Sequence, residues 1–237
     1  MFRILFALLL AASLPLHAAP TGLLNDTGQD TCYDGANLVT CTPGNSGDAA
    51  TYPRQDGRFG RDAAASAGTL SKTGAGAAGF DYSKICFNGD AEGSGSCTGA
   101  LVANTNATAT GSPSTDWACT KDNVTNLIWS LQSGSGDWTT YAQTTLPNAT
   151  NAAVRCGYSS GWRLPTRREL LSIVHNGASS PVIDSAYFPA TQNSWYWSAD
   201  TYAPGPAGAW FVNFNDGYTN YDNKTNSGYF RLVRSGQ

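Results

Sequence analysis

The chain has 237 residues, of which 13% are charged, and a formal net charge of −3 at pH 7. So little charge, with a slight acidic excess, argues against nucleic acid or an anionic membrane surface as a partner. Abundant Gly, Ser, Thr and Asn alongside 11% aromatics suits an exported, loop-rich, β-containing protein and disfavours disorder in the aromatic-rich C-terminal half.

Residues 1–19 read as a secretory signal peptide. Met1-Phe2-Arg3 is a short positive start, Ile4 to Leu16 is apolar, and small residues around Ala18-Ala19 offer a cleavage context. The apolar run is too short to span a bilayer, and nothing later replaces it, so no transmembrane segment is expected. The remainder is expected in the periplasm, at the cell surface or outside the cell.

Residues 20–115 read as a loop-rich N-terminal region. Phe80, Tyr82, Ile85 and Phe87 are its one dense apolar group and are expected to pack on the domain that follows. All six cysteines, Cys32, Cys41, Cys86, Cys97, Cys119 and Cys156, lie beyond the signal peptide. An even count in an exported protein argues for disulfides. Six cysteines allow fifteen pairings, and the clustering suggests Cys32–Cys41, Cys86–Cys97 and Cys119–Cys156. No CxxC is present, and one of the two histidines belongs to the signal peptide, so a zinc site is not expected.

From Asp116 the periodicity sharpens. Asn126 to Trp129 suggests a strand, and Trp138 to Ala142 a helix capped by Asp137, with Asn151 to Arg155 continuing it after a break at Pro147. Thr166-x-x-Glu169 is a capping box that opens a helix over 167–175. Trp195 to Ala199, Ala209 to Phe214 and Tyr229 to Arg234 read as strands between Gly/Pro/Asn/Asp turns. Residues 116–237 therefore predict an α+β domain, two helices on one side of a mainly antiparallel sheet.

The string Gly161-Trp162-Arg163-Leu164-Pro165-Thr166-Arg167-Arg168-Glu169-Leu170, the segment Asn123 to Trp129 and the ending Phe230-Arg231-Leu232-Val233-Arg234 together resemble the Lcl C-terminal domain family. Ala186 to Pro189, Tyr196 to Ala199 and Ala209 to Gly217 fit the same pattern in order. The resemblance implies a C-type-lectin-like fold related to that of formylglycine-generating enzymes, and no specific activity. No collagen-like Gly-x-y array accompanies it, so trimerisation is not implied.

Of the 27 aromatic residues, 13 lie between Tyr187 and Phe230. Tyr and Trp beside Asn and Asp recur in binding loops, because large rigid rings supply contact area while amides adapt their hydrogen bonds. Trp195, Tyr218, Asn220, Tyr221 and Asn223 are the candidate ligand-binding residues. Trp210, Phe211, Val212 and Phe214 read as strand core, and Asn215-Asp216-Gly217 as a hairpin turn. Asn215, Asp216, Asp222 and Asn223 carry oxygens suited to calcium, but they lack EF-hand spacing and read better as turn residues, so no metal or other cofactor is expected.

Catalysis finds little support. The formylglycine-generating relatives need a cysteine pair near the C-terminal end, and no Cys follows Cys156. His175, at the end of the capped helix, suits a dipole partner better than a base. Of two glutamates, Glu92 lies in a Gly-rich loop and Glu169 in the capping box. Gly74-x-Gly76-x-x-Gly79 lacks the strand and helix that dinucleotide binding requires and reads as a flexible loop. Arg163 and Arg231 are expected to bond carbonyls or an Asp, and Arg167 and Arg168 to be solvated or to meet an anion. The expected role is non-catalytic recognition of a carbohydrate or protein ligand. The alternatives are an envelope component that uses the domain for subunit packing and, less favoured, a hydrolase.

Overall fold

The computed structural model describes residues 25–41, 55–106 and 115–236; the signal-peptide segment lies outside them. The first elements are the hairpin β1 (Thr31–Tyr33) and β2 (Leu38–Thr40), then the helix α1 (Gly60–Ser66). Next come β3 (Tyr82–Cys86), β4 (Trp117–Asp122), β5 (Leu127–Ser130) and β6 (Ser135–Asp137). A wide π-helical segment, Trp138–Thr145, runs into α2 (Leu146–Ala152), and α3 covers Arg167–Leu171. The chain closes with β7 (Trp195–Thr201), β8 (Gly208–Asn213), β9 (Thr219–Asn223), β10 (Ser227–Tyr229) and β11 (Val233–Ser235).

The strands form a four-stranded sheet in the order β11-β5-β4-β3 and a five-stranded sheet in the order β6-β10-β7-β8-β9. Every pairing is antiparallel except β10 with β7. The fold is mixed α+β and mostly strand, as the sequence predicts.

Two apolar clusters hold the sheets together, and each sheet contributes to both. Phe80, Tyr82, Trp129, Leu170, Phe188 and Tyr196 belong to one; Ile85, Cys119, Leu146, Trp162, Trp197 and Phe230 belong to the other. Leu170 of α3 joins the first while Leu146 of α2 joins the second, so the helices do not share one side as expected. Phe80, Tyr82 and Ile85 pack into these clusters, and β3 pairs with β4 along its length. The strand lies in the N-terminal region yet completes the four-stranded sheet.

The three disulfides join Cys32 to Cys41, Cys86 to Cys97 and Cys119 to Cys156. The last ties β4 to the turn after α2.

Several boundaries differ from the sequence reading for physical reasons. Pro147 does not break a helix; it sits in the first turn of α2, where its missing N–H is not needed. The capped helix stops at Leu171, four residues early. There Ser172 Oγ donates to the Glu169 carbonyl (2.7 Å), and His175 N–H has already turned to the Val182 carbonyl (2.9 Å). The single strand expected over Tyr229 to Arg234 is two. β10 belongs to one sheet and β11 to the other, and buried Phe230, Arg231 and Leu232 carry the chain between them. The Ala-rich α1 was not anticipated.

Candidate functional site

The capping box forms the foundation of the site. Thr166 Oγ1 accepts the Glu169 N–H (3.2 Å), and Glu169 Oε2 accepts the Thr166 N–H (2.7 Å). Arg163, expected to bond carbonyls or an Asp, donates to the Leu164 carbonyl (3.0 Å) and also forks onto the Glu169 carboxylate at 2.7 and 2.8 Å. Burial alone would raise the Glu169 carboxyl; the Arg163 fork and the Thr166 amide outweigh it and hold it below its ordinary value. Two further bonds dock the helix entrance on β7. Arg167 N–H donates to Asp200 Oδ2 (2.7 Å), and Ala199 N–H donates to the Pro165 carbonyl (2.7 Å).

This docking sets the Arg167 guanidinium 4.2 Å from the centroid of the Trp210 ring. In the β8–β9 register Trp210 lies opposite Tyr221, with ring centroids 6.0 Å apart. Tyr202, in the loop after β7, stacks on Tyr221 at 3.7 Å with the rings nearly parallel and meets Trp210 edge-on at 5.4 Å. Tyr221 is 45% exposed. The result is a rim of three interlocked rings and one guanidinium on the outermost strand of the five-stranded sheet. Nearby, Lys224 Nζ lies 4.1 Å from the Trp138 ring and donates to Thr201 Oγ1 (2.9 Å).

The five candidate binding residues do not form one surface. Strand alternation puts Tyr221 and Asn223 on the Trp210 side of the sheet and Asn220 on the opposite side, across from Phe211. Trp195 shares that opposite side. It is half-buried, edge-on to Trp197 at 4.8 Å and tilted on Phe211 at 5.1 Å. Its ring covers Gly228 so closely that a Cβ there would come within 2.1 Å of it. Tyr218 is 53% exposed in the turn before β9. The amides face their own backbone. Asn220 Oδ1 accepts the Tyr221 N–H (2.9 Å), Asp222 Oδ1 the Asn223 N–H (2.7 Å), and Asn223 Oδ1 the Thr225 N–H (3.1 Å).

Residues 118–234 match the model of the Lcl C-terminal domain family. This stretch is an Lcl C-terminal domain. No curated protein matches the chain. The aromatic rim therefore belongs to the Lcl C-terminal domain itself, whereas β3, which completes the four-stranded sheet, comes from the region before it.

Tyr202, Trp210 and Arg167 complete the rim, and the sequence reading did not join them. Tyr202 sits in a Gly/Pro turn and Trp210 inside an apolar strand, so only their register with Tyr221 reveals the group. The calcium-suited oxygens of Asp216 and Asp222 cap turns, the former accepting the Tyr218 N–H (3.0 Å). Among the described residues, carboxylates suited to a cation converge instead at Asp26, Asp56 and Asp62, within 4.8 Å of one another. Thr27 Oγ1 donates to Asp56, and the Gly79 N–H donates to Asp62 (2.7 Å).

His175 does not cap a helix as expected. It is buried, its Nδ1 accepts the Gly177 N–H (3.1 Å), and the Phe80 ring stands edge-on at 5.5 Å. Burial lowers its pKa against the pull of Asp184 and Asp30, so the ring is a neutral core group. The Gly74–Gly79 loop opens no helix and is pinned. Lys72 Nζ donates to the Gly76 and Ala78 carbonyls, both at 2.7 Å, and Ala77 N–H to Asp184 (2.8 Å). Arg231, fully buried, donates to the Ser130 carbonyl (3.1 Å) and Thr191 Oγ1 (2.7 Å), the structural role expected of it.

Proposed function

We propose that the chain is an exported, non-catalytic recognition protein. On this reading its Lcl C-terminal domain adopts a C-type-lectin-like fold and binds a carbohydrate or protein ligand through the rim. The observation that carries this is the interlocked group Tyr202, Trp210, Tyr221 and Arg167, held half-exposed on an outer strand. Rings fixed by one another lose little entropy on binding, and an Arg above a Trp adds a planar donor. The groups of the rim are rings, two phenol hydroxyls and a guanidinium, which suit stacking and hydrogen bonding rather than proton transfer.

One observation favours recognition over strand-mediated subunit packing. The outward N–H groups of β9 at Tyr221 and Asn223 are taken by the side chains of Asn220 and Asp222, which blunts the edge. The test is binding of the oxidised protein to a glycan array and to immobilised envelope proteins, beside Tyr202→Ala and Tyr221→Ala. The expected result is selective binding that both variants lose while melting within a few degrees of the parent. Binding that survives both substitutions overturns the assignment of the rim.

A further inference from the structure

A second feature lies on the other sheet and is independent of the rim. On the face of the four-stranded sheet turned away from Tyr82 and Trp129, one row of side chains crosses all four strands. The register places Ser83 opposite Lys121, Lys121 opposite Ile128, and Ile128 opposite Arg234. Ser83, Lys121 and Ile128 of this row line an open recess of about 320 Å³, walled further by Ile85 and Tyr158. That volume lies at the small end of the ~300–1,000 Å³ range of ligand pockets.

The charge of the recess distinguishes it in a chain of net negative charge. None of its lining residues is acidic. Three of the four lysines are engaged: Lys72 by carbonyls, Lys84 by Glu92 and the Trp117 ring, Lys224 by Thr201 and the Trp138 ring. The side chain of Lys121 alone makes no hydrogen bond, ion pair or ring contact with a described residue. Behind the wall, the Arg234 guanidinium stacks 3.4 Å from the centroid of the Tyr158 ring. Arg234 is 7% exposed, and its Nε and Nη1 have no hydrogen-bond partner. A buried cation with unmade bonds is costly, and a nearby anion offsets that cost through the low-dielectric wall.

We propose that this recess binds a small organic carboxylate. The Lys121 ammonium takes the carboxylate and the Ser83 hydroxyl donates to it. Arg234 strengthens the field through Tyr158 without touching the ligand, and Ile85 and Ile128 hold a short aliphatic chain. One free ammonium beside apolar side chains suits a monoanion with an alkyl tail better than a phosphate, which calls for several converging N–H donors.

The test is NMR titration of the oxidised protein with butyrate, propionate, butyramide and inorganic phosphate, following the Lys121 side chain and the Tyr158 amide. Saturable shifts are expected with butyrate, about fourfold weaker binding of propionate for the lost methylene, and none with butyramide. Lys121→Met should weaken butyrate binding about tenfold or more, while Lys121→Arg retains it. Butyrate binding unchanged in Lys121→Met, or equal binding of butyramide, overturns the role of the ammonium. Phosphate binding as tightly as butyrate overturns the carboxylate class. No saturable shift with any of these probes overturns the site.

Discussion

The two sheets use the same kinds of residue for opposite ends. In the four-stranded sheet Tyr82 and Trp129 are buried, Cys119 is bonded to Cys156, and an apolar cluster packs on each face. The five-stranded sheet repeats this in its interior, where Tyr196 and Trp197 are fully buried, and reverses it at its last strand and the turn before it, where Tyr221 and Tyr218 are exposed. An aromatic ring is thus core or display according to how many strands lie beyond it. Tyr221 is held in place by the rings of Tyr202 and Trp210 rather than by the core.

Substitution on either side of that contrast should give effects of different size. Trp197→Ala should cost about 3–5 kcal/mol, because it empties a fully enclosed site; denaturant unfolding reads this directly. Cys119→Ser with Cys156→Ser should cost about 4 kcal/mol from the released loop, more than the loss of either shorter clip. A smaller cost for the long disulfide than for Cys32–Cys41 would break the ordering that loop length sets.

Between core and rim stands the Arg163–Glu169 corner. Glu169→Gln should destabilise by about 2 kcal/mol at pH 7, as it weakens a charge-assisted fork and half of a capping box. The depressed Glu169 carboxyl contributes stability that is fully present above its unfolded pKa near 4.5 and is lost as pH falls through its lower folded value. The variant and parent should therefore converge in stability in acid. A gap that stays constant down through that window would show that the charge of Glu169 plays no part.

At the rim, Tyr221→Ala should cost only about 1 kcal/mol of stability, the worth of its ring contacts, while abolishing ligand binding. Least in stability, yet visible in mass, is the pair Asn220→Val with Asp222→Val. Freeing the Tyr221 and Asn223 N–H groups should raise the apparent mass in light scattering by pairing β9 edges. An unchanged mass would show that the carboxamide and carboxylate are not what guards the edge.

Local signals in this chain were legible because their physics is local. Thr166 and Glu169 are three apart, as a capping box requires, and the structure closes both bonds. Asp137 caps the turn that begins at Trp138, its Oδ1 accepting the Thr140 N–H (2.7 Å). The cysteine clusters paired as neighbours. The composition of the Asn-rich tail marks a turn and an exposed polar face, but neither the strand Thr219–Asn223 nor which side each of its residues faces. Alternation along β9 separated Asn220 from Tyr221, a division that depends on strand bounds the polar composition did not reveal.

By itself the sequence determined the family of residues 118–234, the α+β character and the capped helix entrance, because each rests on contacts close in sequence or on ordered motifs; the clustering of the cysteines suggested the three disulfides without deciding among the fifteen pairings. The tertiary structure decided the rest. It broke Tyr229–Arg234 across two sheets, brought β3 from the N-terminal region to complete one of them, and ended α3 where Ser172 competes for the backbone. It also gathered Tyr202, Trp210, Tyr221 and Arg167 from separate segments into one rim. Register between strands is set by the packing of both clusters at once, and that is a property of the whole chain rather than of any stretch of it.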